Sequence, residues 1–282
     1  MESIKELRKI CYEGSKAKRP LYMEWVTMRF SIYVTRLLLY APITADQVTI
    51  SMVILAILGS VLMAFGSLKM IFIGILIIHF TVLLDNVNGE IARYRKEGNM
   101  TGTFLEQFYH EITVPFIFFF LAYGVFVQTG YKSILIFGFL CAVFSKSVVL
   151  PAVNSAVIKN ALRDKASGKA DEKLKKYATI IGKKANIKGG GTEIGAKMYG
   201  AYDLIREFWS APFNIVIINL IVIFEIIKNH YFSSMFFPEY SLIYMYLALY
   251  GAFSVIIQAI SFIVHYKGRT VYHYYVALFG KK

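Results

Sequence analysis

The amino-acid sequence predicts an all-α integral membrane protein, with six transmembrane helices preceded by an amphipathic surface helix. Two observations lead to this fold class. The 282 residues are 57% hydrophobic and only 17% charged, which is too apolar for an ordinary soluble domain. Apolar runs of about 18 residues or more recur along the chain, and runs of that length are typical of transmembrane helices.

Residues 1–46 are expected to form a cytoplasmic basic segment that ends in the surface helix. They begin with "MESIKELRKICYEGSKAKRP", which lacks the apolar core of a signal peptide, so no cleavage is expected. The following "MEWVTMRFSIYVTRLLLYAP" mixes Arg29 and Arg36 with aromatic and aliphatic residues. This mixture is typical of an amphipathic helix that lies on the inner leaflet of a membrane, and it ends near Pro42.

Residues 47–282 are expected to form the six-helix transmembrane domain, with a cytoplasmic loop at 159–208. The apolar runs lie at roughly 48–66, 70–92, 103–127, 131–158, 210–228 and 240–265. The "GGG" at 189–191 is interpreted as a hinge, because three glycines alone do not define a phosphate-binding loop. Cys11 and Cys141 are far apart, so no disulfide framework is expected.

The distribution of Lys and Arg predicts the orientation of the chain in the membrane. Basic residues concentrate in 1–46, in the turn after the second span, in 156–208 and in the tail after 265. The opposite side has only three, at Lys69, Lys132 and Lys228. The positive-inside rule therefore predicts that both termini are cytoplasmic. The net charge of +13 is interpreted as a topology signal, and nucleic acid is not expected as a partner.

Polar residues gather at the predicted edge of the second and third spans, in "LLDNVNGEIARYRKEGNMTGTFLEQFYH", residues 83–110. Helical spacing places one group on a single face of the second span: Asp85, Asn88, Gly89, Ala92 and Arg93. A second group recurs every four residues at the start of the third span: Gly102, Glu106 and His110. Because the connecting turn is short, the two spans are antiparallel neighbours and these faces can meet.

Carboxylate, amide and imidazole groups on facing helices favour a divalent metal site. A metal next to Arg93 suits a phosphorylated substrate, since it can polarise a diphosphate and stabilise a leaving phosphate. The structural alternative is an ion pair that simply holds the two helices together. That alternative does not explain why acceptor groups converge from both helices.

This segment resembles the motif of the CDP-alcohol phosphotransferases, Asp-x2-Asp-Gly-x2-Ala-Arg-x8-Gly-x3-Asp-x3-Asp. The matching positions keep every spacing and read Asp85, Asn88, Gly89, Ala92, Arg93, Gly102, Glu106 and His110. Five of these eight residues are identical to the motif, and Glu106 keeps the carboxylate of the family's Asp. Six spans behind a surface helix also agree with this family.

The resemblance implies a transferase that moves a phospho-alcohol group from a CDP-linked donor to an alcohol acceptor and releases CMP. Phospholipid or lipid-linked glycan synthesis is the implied setting. The implied cofactor is Mg²⁺ or Mn²⁺, held by Asp85, Asn88 and Glu106, with His110 in the position of the general base. Gly89, Ala92 and Arg93 would face the CDP group, and Gly102 belongs to the same substrate-binding set.

The resemblance also implies partners and a location. The candidate partners are a lipid or alcohol acceptor, the lipid bilayer and a second copy of the chain in a homodimer. We expect an integral protein of the cell membrane whose active site faces the cytoplasm.

Two positions depart from the family and leave alternatives open. Asn88 contributes a neutral oxygen where the family has a carboxylate, which places a second metal ion in doubt. His110 can act either as a general base or as a metal ligand, because one nitrogen cannot do both at once. The departures also leave open a different nucleotide-activated donor, such as a nucleotide sugar with a polyprenyl-phosphate acceptor, or a non-catalytic membrane protein.

Two rival classes fit the residues less well. An intramembrane prenyltransferase would have two separated Asp-rich motifs. A transporter would place polar residues near the middle of several spans.

Lys146 lies within the predicted fourth span, in "CAVFSKSVVLP". A lysine there is costly without a partner. It is a candidate anchor for an anionic acceptor or a phosphate. The alternative is that it snorkels to the interface or pairs with a carboxylate such as Glu111. Asp46 and Thr49, near the start of the first span, are further candidates for the edge of the nucleotide pocket.

Overall fold

A computed structural model describes residues 2–13, 23–185, 209, 213–231 and 238–279, and the regular elements among them are helices. The α-helices are α1 Ile4–Tyr12, α2 Met28–Leu38, α3 Ala45–Ala64, α4 Leu68–Arg95, α5 Met100–Thr129, α6 Ser133–Phe144, α7 Val149–Ala166, α8 Ala170–Ala185, α9 Phe213–Tyr231, α10 Ser241–Lys267 and α11 Thr270–Phe279. A π-helical turn, Met23–Thr27, leads into α2. The glycines at 189–191 lie outside the described residues.

Six helical segments among the described residues are long and apolar enough to cross a membrane. They are α3, α4, α5, the segment Ser133–Ala166 that contains α6 and α7, α9 and α10. Their order along the chain agrees with the six apolar runs, so the all-α membrane fold is confirmed. Large apolar side chains such as Leu58, Phe119 and Phe262 are exposed on their surfaces, as contact with lipid requires.

The described chain divides into two compact units. The first consists of Met1–Ser145 and Ser210–Ala252, and it contains α1 to α6, α9 and the beginning of α10. The second consists of Lys146–Trp209 and Phe253–Lys282, and it contains α7, α8, the end of α10 and α11.

In the first unit, α3 packs against both α4 and α5 through glycines. A Cβ atom added at Gly74 of α4 would lie 2.4 Å from the carbonyl oxygen of Gly59 in α3. One added at Gly124 of α5 would lie 2.1 Å from the carbonyl oxygen of Met63. No side chain fits at either position. The three backbones therefore approach closely, which is typical of helix packing in membranes.

The helix α2 presents its apolar side outward and its hydroxyl side inward. Phe30, Tyr33 and Leu37 are exposed, whereas Ser31 and Thr35 are fully buried. Because α2 packs against α4, its hydroxyl side faces the protein and its apolar side is available to lipid. This arrangement agrees with the predicted amphipathic surface helix.

The fourth span, predicted at 131–158, corresponds to the helical segment Ser133–Ala166, and this segment is interrupted. α6 ends at Phe144 and α7 begins at Val149. Pro151 explains the break, because its missing N–H and its ring are incompatible with the carbonyl of residue 147 in a continuous helix. The side chain of Gln258 binds two backbone groups in this break. Its Nε2 donates to the carbonyl of Lys146 at 2.8 Å, and its Oε1 accepts from the Val148 N–H at 3.3 Å.

The second unit has a small core of its own. Val153, Val157 and Ala161 of α7 pack with Tyr275 of α11, and side chains of α8 cover them. The Tyr275 hydroxyl donates to the buried carboxylate of Asp164 at 3.3 Å. These contacts hold α7, α8 and α11 together as one unit.

Candidate active site

The turn between α4 and α5 makes the two helices antiparallel neighbours. Lys96 ends α4 in a left-handed conformation, with φ 57° and ψ 37°. Asn99 is the N-cap of α5, and its side-chain oxygen accepts a hydrogen bond from the Gly102 N–H at 2.6 Å. Asn is a favoured residue for such a cap because it satisfies a free N–H of the first turn. The end of α4 and the start of α5 are therefore fixed locally, only a few residues apart.

Asp85 of α4 and Glu106 and His110 of α5 come together at this end of the two helices. One potential ligand atom from each residue lies within 4.8 Å of the other two. The Nε2 atom of His110 lies 3.7 Å from Oδ1 of Asp85. The structure thus brings together two carboxylates and an imidazole that the helical spacing placed on facing surfaces.

The environment of Asp85 suits a bound cation. Its side chain is 12% exposed, and its Oδ1 atom is buried with no hydrogen-bond partner. A buried carboxylate oxygen without a donor is costly, whereas a divalent ion at this point would satisfy it. Carboxylate oxygens and a neutral imidazole nitrogen are ligands for Mg²⁺ and Mn²⁺. The residues present therefore fit a single divalent ion. Asn88 is buried one turn further along α4, on the face that it shares with Asp85.

Gly89 and Arg93 form the next part of this face. A Cβ atom at Gly89 would lie 3.1 Å from Nη1 of Arg93, so the guanidinium lies directly over the glycine. The ring of Tyr12, at the end of α1, lies on the guanidinium as well, with its centroid 5.5 Å from Cζ. Arg93 is exposed and Ala92 is half-buried. The sequence pattern did not indicate Tyr12, because no motif near residue 12 predicts a contact with α4.

Gly102 is the point where α3 approaches the start of α5. A Cβ atom there would lie 2.9 Å from Oδ1 of Asp46, in the first turn of α3. Asp46 therefore lies next to a residue of the predicted substrate-binding set. Thr49 is turned into its own helix, where its hydroxyl donates to the carbonyl of Ala45 at 3.2 Å.

Lys146 lies in the break between α6 and α7, in the second compact unit. Its carbonyl is bound by Gln258, as described above. Its role as an anchor for an anionic acceptor stays a prediction.

The sequence matches no protein-family model and no curated protein. The structure matches two crystal structures of phosphatidylinositol phosphate synthase from Mycobacterium tuberculosis. The first has CDP-DAG bound, and the match has a TM-score of 0.50 at 21% identity, covering 82% of this chain and 90% of the synthase. The second is the apo form, with the same TM-score and identity, covering 83% of this chain and 95% of the synthase.

This chain has the fold of the phosphatidylinositol phosphate synthases. These synthases are CDP-alcohol phosphotransferases, so the fold expected from the motif of residues 85–110 is confirmed. The match extends over most of both chains.

Proposed function

We propose that this protein is a membrane transferase that moves a phospho-alcohol group from a CDP-linked donor to an alcohol acceptor and releases CMP. Phospholipid or lipid-linked glycan synthesis is the proposed setting. The observation that carries the proposal is the convergence of Asp85, Glu106 and His110 where α4 meets α5, in a chain with the synthase fold. One synthase structure has CDP-DAG bound, which supports a CDP-linked donor.

The proposed cofactor is one Mg²⁺ or Mn²⁺ ion held by Asp85, Glu106 and at least one of Asn88 and His110. When bound, it would neutralise charge on the donor diphosphate and on the departing CMP. The two carboxylates balance the charge of one divalent ion. Asn88 adds no further negative charge, so a single ion is expected.

Arg93 is proposed to bind the diphosphate of the donor. A guanidinium matches phosphate oxygens with two parallel hydrogen bonds, and Arg93 is exposed on the face that Asp85 occupies. Gly89 leaves room for the Arg93 guanidinium, and Gly102 lets Asp46 approach the start of α5. Ala92 is proposed to face the donor next to them.

The acceptor hydroxyl has to lose a proton during the transfer, and two residues are proposed for this step. His110 accepts the proton if its nitrogen is not bound to the ion. Otherwise Glu106 accepts it, because a carboxylate has a second oxygen when the first binds a cation. The two cases differ in how the enzyme responds to added metal.

The remaining parts of the proposal concern the surroundings of the enzyme. We propose that it lies in the cell membrane with the active site facing the cytoplasm. The basic residues collect on one side of the predicted spans, and the positive-inside rule assigns that side to the cytoplasm. We also propose that the acceptor is a lipid or another alcohol and that the enzyme forms a homodimer.

A panel of nucleotide-activated donors tests this function. Purified protein with Mg²⁺ or Mn²⁺ is offered CDP-linked alcohols and nucleotide sugars, and the released nucleotide is measured. We expect release of CMP from CDP-linked donors only, and its loss with a chelator or in Asp85→Asn. Release from nucleotide sugars instead would favour a different transfer on the same fold. No release from any donor would indicate a non-catalytic protein.

A further inference from the structure

The helix α4 has a second polar face, separate from the one that carries Asp85. Asn86, Glu90 and Tyr94 recur every four residues along it, roughly a third of a turn round the helix from the Asp85 face. The Asn86 amide donates to the Thr27 hydroxyl at 2.8 Å, and the Tyr94 hydroxyl donates to the Glu2 carboxylate at 2.8 Å. The N-terminal helices are thus bound along the helix that carries the site.

Glu90 is the centre of this second face. It is fully buried, and three hydroxyls from two elements converge on its carboxylate. The hydroxyl groups of Tyr12 and Ser31 donate to Oε1, and that of Thr35 donates to Oε2. The last two distances are 2.5 Å. Hydrogen bonds to a carboxylate are strong and directional, so Glu90 determines where α1 and α2 lie against α4.

Tyr12 connects this buried carboxylate to the candidate site. Its hydroxyl is bound to Glu90, and its ring lies 5.5 Å from Cζ of Arg93. The guanidinium also lies over Gly89, whose Cβ position is 3.1 Å from Nη1. An exposed arginine normally samples many rotamers, and ordering it costs conformational entropy. Here the ring of α1 and the bare backbone of α4 restrict the guanidinium before any ligand arrives.

We propose that Tyr12 and Glu90 are positioning residues of the donor site. Glu90 fixes Tyr12, and the Tyr12 ring holds the Arg93 guanidinium over Gly89, where it can bind the donor diphosphate. The N-terminal helix α1 is thereby a part of the donor site. This inference rests on the proposed function, because that function assigns Arg93 to the donor.

Binding of CDP to the purified full-length protein tests the role of the ring. Tyr12→Leu removes the contact with Arg93 and should raise the Kd of CDP by about 2- to 30-fold, the range of one cation–π contact. Tyr12→Phe keeps the ring and should give a smaller rise. Tyr94→Leu is the matched control. It removes the other tyrosine that binds α4 to the N-terminal segment, and it should leave the Kd unchanged.

A double-mutant cycle separates positioning from general structural support. If Tyr12 acts through Arg93, Tyr12→Leu has no further effect on CDP binding in an Arg93→Ala background. An equal loss of affinity in both backgrounds would contradict the inference, and so would an unchanged Kd in Tyr12→Leu.

Cys11 reports the docking of α1 without any nucleotide. It is buried, its Sγ lies 3.5 Å from the Glu90 carbonyl, and burial raises the pKa of its thiol to about 11. Both properties slow its reaction with a maleimide. Glu90→Leu should speed labelling of Cys11 by about tenfold or more, and Glu90→Gln, which keeps the shape of the side chain, by less. Glu97→Leu, in the exposed turn after α4, is the matched control and should leave the rate of Cys11 labelling unchanged.

The outcomes distinguish this inference from the proposed function. Unchanged protection of Cys11 in both Glu90 variants would contradict the role of Glu90. A wild-type protein that binds no CDP would contradict both proposals. A wild-type protein that binds CDP but releases no nucleotide from any donor would contradict only the transfer reaction.

Discussion

His110 stands where the related motif has its last aspartate, and its role can be decided by metal titration. Its ligand atom lies within 4.8 Å of those of Asp85 and Glu106, which supports the ligand role. We expect His110→Ala to weaken Mn²⁺ binding by at least about 10- to 100-fold, a loss already typical of residues that only support a ligand. Excess Mn²⁺ should then restore most of the nucleotide release.

The matched control is His273→Ala, which removes an exposed histidine of α11. It should change neither the Mn²⁺ affinity nor the nucleotide release. The base role would give a different result. In that case His110→Ala loses about 10²- to 10⁴-fold in rate, Mn²⁺ affinity stays close to that of the wild type, and added metal does not help.

Asn88 is the other departure from the motif, and its replacement tests the charge of the site. It is buried on the face that Asp85 occupies, so Asn88→Asp adds a third carboxylate next to the proposed ion. We expect Mn²⁺ to bind about tenfold more tightly, because an additional negative ligand strengthens attraction to a divalent cation. Isothermal titration of Mn²⁺ measures this change. Asn160→Asp, at a position outside the predicted ligand set, should leave Mn²⁺ affinity unaltered, and weaker binding in Asn88→Asp would contradict the prediction.

Among the elements, α4 is distinguished by two polar faces with different tasks. One presents Asp85 and Arg93 to the candidate site, and the other binds α1 and α2 through Asn86 and Glu90. Both faces belong to one helix, so the N-terminal helices pack directly beside the candidate site.

A buried ion pair lies where α9 contacts the start of α10. Glu225 lies 2.5 Å from the Lys228 ammonium, and its carboxylate accepts hydrogen bonds from the N–H groups of Leu242 and Ile243 at the start of α10. Glu225→Ala would remove the negative partner of the buried lysine and the acceptor of both N–H groups. The Lys228 ammonium would keep only its hydrogen bonds to the Pro238 carbonyl at 2.7 Å and the Ser241 hydroxyl at 2.8 Å, with its charge uncompensated. Loss of one partner of a buried pair typically costs about 3–5 kcal/mol, so we expect a clear fall in Tm in detergent.

Glu239→Ala is the control for this substitution. Glu239 is exposed in the same connection, so its removal should change Tm very little. An equal Tm for both variants would show that the Glu225–Lys228 pair does not hold α9 to α10.

At the scale of the whole molecule, the orientation in the membrane is open to a direct test. Lys132 and Lys96 are both exposed, at opposite ends of α5. With the basic side in the cytoplasm, Lys132→Cys should react in intact cells with a maleimide that does not cross membranes. Lys96→Cys should react only after the membrane is permeabilised. The reverse pattern would overturn the predicted topology. The native Cys11 and Cys141 are buried and give little background.

The sequence by itself determined the helical spans and the grouping of the motif residues on helix faces. Both are local properties. An apolar run in lipid has to satisfy its own backbone hydrogen bonds, which makes it helical. Helical periodicity then places Asp85, Asn88 and Arg93 on one face. Even the break after Phe144 had a local signal in Pro151, which a count of apolar residues overlooks.

Only the tertiary structure decided which distant residues complete the site. The approach of Asp46 to Gly102 depends on how α3 packs against α5. The chain from Glu90 through Tyr12 to Arg93 depends on how α1 docks on α4, and Tyr12 and Glu90 are 78 residues apart. Such contacts arise when side chains of several helices fill a common space, and the spacing of residues within one helix contains no information about them.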